Sequence, residues 1–442
     1  MTAWRIVGTV ACLALAAAAR AETYPLNETV QSGDCFAVRL EMKLAGQMKV
    51  LRNGEATSLK LEATATHEFP ERVLAVGASG LPEKVARHYD TAKAVITVAD
   101  SRSERTLRAD RRLCVAQRYK DQPLLYCPGA SLTRDELDLT NDHFDTLCVT
   151  GLLPPKAVAV GDTWTVPNVA VQALCNFEGL AKHGLSGKLD EVKGTTATFS
   201  VTGTAEGIDH GAMVKVNVTA KGTFDLSAKR LVGLEWTQKD EREQGPVSPT
   251  TSVETTTTLT RKAVEQPEAL SDVKLVSVPD SFTPPAPMAQ LEHRDADGRF
   301  EMLYAREWQL VGQTKERTVL RLMDRGDFLA QATITPWTEA DKGKHMSAED
   351  FKKAMNATPE WEPERELQSG EVPSDREGRW TYRFSVIGKM DGVEVLQNFY
   401  LIAGPGGEQV VVVFTMTPKQ ADKFGVRDLA LVGAIEVPAA KK

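Results

Sequence analysis

Residues 298–337 read GRFEMLYAREWQLVGQTKERTVLRLMDRGDFLAQATITPW, and this stretch decides how the second part of the chain folds. Two runs of β-favouring residues, Thr318–Met323 and Phe328–Thr335, flank the turn-forming Asp324-Arg325-Gly326-Asp327. Alternating residues around such a turn predict an antiparallel hairpin. Ahead of it stand the aromatic anchors Phe300, Tyr304 and Trp308, with no reactive residue among them.

The pattern continues downstream. Ser347, with Asp350 three residues on, has the form of a helix N-cap, and Phe351, Ala354 and Met355 share a face of the helix it opens. Trp380, Tyr382, Phe384 and Val386 alternate with Arg379, Thr381, Arg383 and Ser385, which predicts a strand with one polar or lightly covered face. Val393–Ile402 and Val410–Phe414 are apolar on both faces, as strands covered on both sides must be. Asp391-Gly392 and Gly404-Pro405-Gly406-Gly407 supply the turns, and a closing helix from Lys419 to about Ile435 presents Phe424, Leu429, Val432 and Ile435.

Phe300, Tyr304 and Trp308, followed by this order of elements, resemble the PsbP/Mog1-like family, whose first strand runs into a Tyr-Pro-x-x-Trp corner. Here Ala305 stands at the proline position. The resemblance covers about the last third of the chain and implies an antiparallel α/β/α sandwich. Members of that family are mostly non-enzymatic: photosystem accessory proteins, a small-GTPase-binding protein and envelope lipoproteins. It therefore implies no catalytic residue here, and Phe300, Tyr304 and Trp308 become core and corner residues.

Working backwards, residues 263–288 carry five prolines (Pro267, Pro279, Pro284, Pro285 and Pro287), which excludes a continuing helix or a central strand and reads as a linker. It separates a β-rich domain at 22–262 from the sandwich at 289–438, in keeping with the two cores that 442 residues lead one to expect. The fold class is thus α+β. In the first domain Phe36–Leu44 alternates, and Leu59–Ala65 repeats the alternation after an Asn53-Gly54 turn. Further strands read at 95–98, 113–119, 197–201, 213–218, 231–237 and 253–260, with short turns that suggest an antiparallel meander. Thr133-Arg134-Asp135-Glu136 has capping-box spacing, and Asn141 begins a second turn carrying Phe144, Leu147 and Cys148. In pattern, though without a shared motif, this domain resembles the lipoprotein-carrier half-barrels of the bacterial envelope.

Arg5, the apolar run 6–19 and Ala19-Arg20-Ala21 form an export signal, so residues 1–21 are expected to be removed and the protein to act in a periplasmic or extracellular space. No later stretch is long and apolar enough to span a bilayer. A net charge of −7 argues against a nucleic-acid partner, whose phosphates need a basic face. Beyond Cys12, five cysteines remain: Cys35, Cys114, Cys127, Cys148 and Cys175. They contain no C-x-x-C, and an odd number leaves at least one thiol unpaired within the chain. Cys114 and Cys127 flank residues 120–123, so they can face each other across a hairpin, while Cys148 and Cys175 flank the helical region.

Chemistry is sparse. His67-Glu68-Phe69-Pro70-Glu71 opens like a zinc-protease helix but has Glu71 at the second histidine position and a helix-breaking Pro70. Asp295-Ala296-Asp297-Gly298 lacks the terminal glutamate of a calcium loop, Tyr304 standing there. Gly184-Leu185-Ser186-Gly187-Lys188 lacks the last glycine of a serine elbow. The densest polar cluster is Asp138, Asp142, His143 and Asp145. Its three aspartates fall at i, i+4 and i+7, so a helix through all three would gather them on one face able to hold a cation. A solvated helix face is the competing reading. His88 and His210 stand apart from any triad. The sequence implies no cofactor and points to a non-catalytic binding or assembly protein that takes a protein partner or an apolar small molecule. The alternatives are a carrier with an apolar cavity in the first domain and a metal-dependent enzyme built on Asp138, Asp142 and Asp145.

Overall fold

The computed structural model describes residues 22–52, 55–119, 122–141 and 145–438. Residues 1–21, in which an export signal is expected, Asn53 and Gly54, residues 120–121, and Asp142, His143 and Phe144 lie outside them.

An antiparallel sheet of 14 strands organises the first part. The strands Ser186–Lys193, Thr196–Asp209, Ala212–Asp225, Arg230–Arg242 and Thr250–Val264 form the expected meander. Its last member pairs with Cys35–Arg52 from Thr250 opposite Lys49 to Val264 opposite Cys35, which joins the early strands to the late ones. Cys35–Arg52 then pairs with Glu55–Val76. These two strands run 18 and 22 residues, well past the stretches their apolar alternation marks, because polar residues such as Gln47, Lys49 and Ser58 keep the outward positions. The strand Pro82–His88 and the helix Asn168–Leu174 escape the sequence patterns.

Along Glu55–Val76 the inward series is graded. Leu59, Leu61 and Ala63 are half-buried, whereas Ala65, His67, Phe69, Glu71 and Val73 are buried. Helix Arg134–Asn141 packs against the neighbouring strand Thr91–Val98, and its Leu139, with Leu174 of helix Asn168–Leu174, lies on the same side as this inward series. The first helix has the capping box its sequence predicts: the Glu136 amide donates to Thr133 Oγ1 (3.2 Å), and the Thr133 amide to Glu136 Oε2 (2.9 Å). It ends at Asn141. Residues 149–152 form only a 3-10 turn, so Leu147 and Cys148 pack without the second helical turn expected for them.

The proline-rich segment is pinned rather than free. Arg72 donates to the Leu270 carbonyl (2.9 Å) and pairs with Asp272 (2.7 Å), while Lys84 and Gln117 donate to the Pro279 and Phe282 carbonyls. Proline withholds N–H donors, so side chains of the sheet hold this segment through its carbonyls.

The second part is a seven-stranded sheet in the order 308–313, 318–324, 327–336, 409–416, 393–403, 380–390, 361–371. Phe399 and Leu401 join a core with Phe351, Met355, Trp361 and Phe384 on one face. Tyr400 and Ile402 point the other way, into a core with Trp308, Phe414, Phe424, Leu431 and Val432. Helix Ala348–Asn356, N-capped by Ser347 Oγ accepting from the Asp350 amide, covers the first face, and the C-terminal helices cover the second.

Four features differ from the sequence reading. Glu301–Tyr304 stays out of the large sheet, because the chain turns at Ala305, whose carbonyl accepts from the Trp308 amide (3.1 Å). It belongs to a four-stranded sheet with Leu291–Arg294, Ile435–Glu436 and the parallel pair Leu132–Thr133, which comes from the first part. The closing helix is broken at Gly425 (φ 61°) into Ala421–Phe424 and Arg427–Ala434, and Ile435 begins a strand. The polar face of Trp380–Met390 is covered: Thr381 and Ser385 are buried, and Arg383 reaches the buried Asp428 (3.3 Å). Finally, Trp361–Glu371 is an edge strand whose charged, mostly exposed residues hide it from apolar patterns and disfavour pairing with another chain. Phe300, Tyr304 and Trp308 are all buried, as core residues. Among the described residues no helix is long and apolar enough to cross a membrane.

Candidate functional site

The uncovered end of the first sheet's inward face bounds a cavity of about 390 Å³. The strand register builds its wall in rows. Trp236 lies opposite Thr257, which faces Met42, then Ala65 and Ala94. The next row is Gln238, Thr255, Leu44, Ala63 and Ile96. The last is Asp240, Val253, Gly46 and Leu61. Gly46 is required there: a Cβ would sit 2.2 Å from the Ser252 carbonyl oxygen and 2.9 Å from Val253 Cγ1. Leu139 and Leu174 of the two helices face the same space.

Charged residues gather at one end. Asp138 pairs with Arg134 (3.0 Å) and Arg105 (3.7 Å). Asp209 pairs with Arg242 and lies 3.3 Å from His210 Nδ1. Asp240 differs from both. It accepts from the neutral Gln238 amide (2.6 Å), whose oxygen accepts from Trp236 Nε1 (3.0 Å), and no ion pair to it occurs among the described residues. Burial pushes its carboxyl up to about 6, against the opposing pull of Gln238 and Arg242. Burial also raises Asp138, despite its two arginines. For Asp209 burial acts upwards too, but His210 and Arg242 outweigh it and hold the carboxyl below its ordinary value.

His210 and Gly211 form the turn between Thr196–Asp209 and Ala212–Asp225, both at positive φ (49° and 73°). This turn abuts the second part of the molecule: a Cβ on Gly211 would lie 2.3 Å from the Gly326 carbonyl oxygen. Arg321 reinforces the contact by donating to the Pro246 carbonyl. The hairpin that opens the second part thus backs the charged end of the cavity.

No family model matches the chain, and no curated protein matches it in sequence. Among solved structures, the Ran-binding protein Mog1p of Saccharomyces cerevisiae is similar over 34% of this chain and 96% of its own, at 13% identity and a TM-score of 0.24. Cyanobacterial PsbP of Synechocystis sp. PCC 6803 is similar over 36% of this chain and 96% of its own (16% identity, TM-score 0.26). A protein of Bacteroides thetaiotaomicron VPI-5482 is similar over 34% of this chain and 49% of its own (10% identity, TM-score 0.25), so this chain spans about half its length. These likenesses concern part of the chain and assign no residue a role.

Of the aspartates singled out by spacing, Asp138 and Asp145 do not share a helix face. Asp138 lies on the helix and lines the cavity. Asp145 lies beyond the helix end, where its Oδ1 caps the Leu147 amide (2.9 Å) and burial raises its carboxyl. Asp142 and His143 fall outside the described residues. A different trio, Glu178, Asp209 and His210, offers ligand atoms within 4.8 Å of one another. Arg242 already neutralises Asp209, so a cation there would have to displace a guanidinium.

The rejected motifs are structural. His67–Glu71 lies within a strand, with Arg87 locking Glu71 to Thr146 in a buried cluster (2.9 and 2.6 Å). Asp295 is occupied by Arg299 and by the amides of its own turn. Ser186 Oγ donates to the Trp164 carbonyl. Sequence reasoning missed Trp236, Gln238 and Asp240. Their signal is a strand whose inward series, Leu234, Trp236, Gln238, Asp240, Arg242, turns from apolar to polar partway along.

Proposed function

We propose that the protein is a non-catalytic carrier that holds a ligand with an apolar portion in the cavity of its first sheet. One observation carries this reading. Met42, Leu44, Leu61, Ala63, Ile96 and Val253 point inward from paired strands yet are only half-buried, because this end of the face is hollow. Leaving so much apolar surface uncovered costs stability at roughly 25 cal/mol per Å², and a bound apolar group offsets that cost. The volume suits one small amphiphile. Titratable groups do sit beside it, but Asp138 and Asp209 are ion-paired to arginines, which suits fixed polarity better than proton transfer. The signal-like residues 1–21 support action after export, in a periplasmic or extracellular space, and the second domain supplies a rigid backing for the cavity's charged end.

Organic extraction of protein purified from its native source, followed by mass spectrometry, tests the reading. It expects one amphiphile at near-stoichiometric amount, released only on unfolding. Protein that carries none, and that takes up no neutral apolar probe, contradicts it.

A further inference from the structure

We infer that the ligand of this cavity carries a cationic nitrogen at the end of an alkyl chain, a long-chain alkylammonium, and that Asp240 is the residue that recognises it. The inference rests on the carrier reading and adds the ligand's chemical class.

Charge complementarity points to an ammonium. Three aspartates line the cavity, and two already have guanidinium partners: Asp138 with Arg134 and Arg105, and Asp209 with Arg242. Asp240 has a single neutral hydrogen-bond partner, Gln238, which holds one carboxylate oxygen at 2.6 Å. A carboxylate partly removed from water and given no cation of its own is costly, and a ligand ammonium would supply the missing charge.

Apolar positions adjoin Asp240 in register. Val253, Gly46 and Leu61 continue its own row across the sheet, and Gly46 contributes no side chain to that row. Trp236 stands four residues along the same strand, about 13 Å away at strand rise. From the ammonium at Asp240, an alkyl chain would run along the wall of Leu44, Ala63, Met42 and Trp236. The groups that face Asp240 are Arg242 on its own strand, Asp209 and His210 at the neighbouring turn, Cys175 at the end of the second helix, and Asp138 and Arg105 from across the cavity. The two arginines are held by Asp209 and by Asp135 and Asp138 respectively. The raised carboxyl of Asp240 agrees with a position desolvated and short of positive charge, and an ammonium ligand would lower it again.

The test uses the full mature chain and three probes of equal chain length below their micellar concentrations: dodecyltrimethylammonium, dodecanol and dodecanoate. Each displaces a neutral naphthyl fluorophore at pH 7.5 and at pH 5. The ammonium should bind roughly tenfold or more tightly than the alcohol at pH 7.5, the worth of one close ion pair partly removed from water. That advantage should shrink at pH 5, where Asp240 is protonated, although the ammonium's own charge is fixed. Asp240→Asn should bring the ammonium-to-alcohol ratio close to one at both pH values, and the pH series on the unmodified protein gives the same answer if this variant folds poorly. Equal binding of all three probes at pH 7.5, or a preference for dodecanoate, overturns the inference while leaving the carrier reading intact. Failure of every probe to displace the fluorophore overturns the carrier reading itself, and the inference with it.

Discussion

The sulfur atoms of Cys114 and Cys127 lie 3.1 Å apart, both buried, Cys114 on the strand Leu113–Tyr119 and Cys127 just past the end of its partner Gln122–Tyr126, where Val115 faces Tyr126. Each thiol also donates to the Arg111 carbonyl (3.3 Å). An external disulfide of the thiol-exchange class can accept the two electrons and two protons of this pair, leaving a Cys114–Cys127 bond and a reduced acceptor. Burial raises the Cys114 thiol well above its ordinary value, so exchange should be slow once the fold is complete and faster during folding. Peptide mapping of protein folded under oxidising conditions should find this one bridge, with Cys35, Cys148 and Cys175 reduced. Closing a loop of roughly 14 residues should stabilise the protein by about 3 kcal/mol relative to the Cys114→Ser, Cys127→Ser double variant. Recovery of both thiols free would remove the pairing.

Asp240 should show the stability cost that a binding carboxylate carries. Its folded-state value of about 6 lies above that of an unfolded aspartate, so the penalty is absent below the unfolded value and grows as pH rises through about 6. Asp240→Asn should therefore stabilise the ligand-free protein by about 1–3 kcal/mol at pH 7.5, and by much less near pH 4. Denaturant unfolding at the two pH values measures this. A destabilising effect at pH 7.5 would show that Asp240 is a structural anchor instead.

The second part of the molecule has its own polar anchor. Asp428 is buried and accepts from Asn398 Nδ2 and Tyr400 Oη (both 2.8 Å), with Arg383 at 3.3 Å. Asp428→Ala leaves a half-buried arginine and a buried amide and phenol short of their acceptor, which should cost about 3–5 kcal/mol. Thermal unfolding should register the loss, while apolar-probe binding to the cavity of the first sheet persists below the transition. Loss of probe binding at temperatures where the variant is folded would show tighter coupling between the two sheets than this account holds.

Legibility in the sequence followed periodicity. The meander strands, the hairpin after Trp308 and the Ser347 helix were readable because apolar alternation and capping residues are local signals. Trp361–Glu371 was not, since an exposed edge strand buries almost nothing and so leaves no apolar trace. The break at Gly425 and the turn at Ala305 interrupt otherwise continuous apolar patterns, and only packing shows them. The candidate site was less readable still. Asp138 stands out for its spacing with Asp142 and Asp145, a relation that needs a helix reaching Asp145, and Asp145 is not helical. Asp240 acquires its character from the rows formed with residues around 46, 61 and 253, and no local pattern records that register.

Titration of a neutral naphthyl fluorophore into the unmodified protein, Ala63→Trp and Ala45→Trp tests the central claim most directly. Ala63 points into the cavity and Ala45 outward from the neighbouring strand. Saturable one-site binding that survives Ala45→Trp and is lost in a folded Ala63→Trp protein is the result this account predicts. Binding unchanged by Ala63→Trp, or no saturable binding to any of the three, would contradict it.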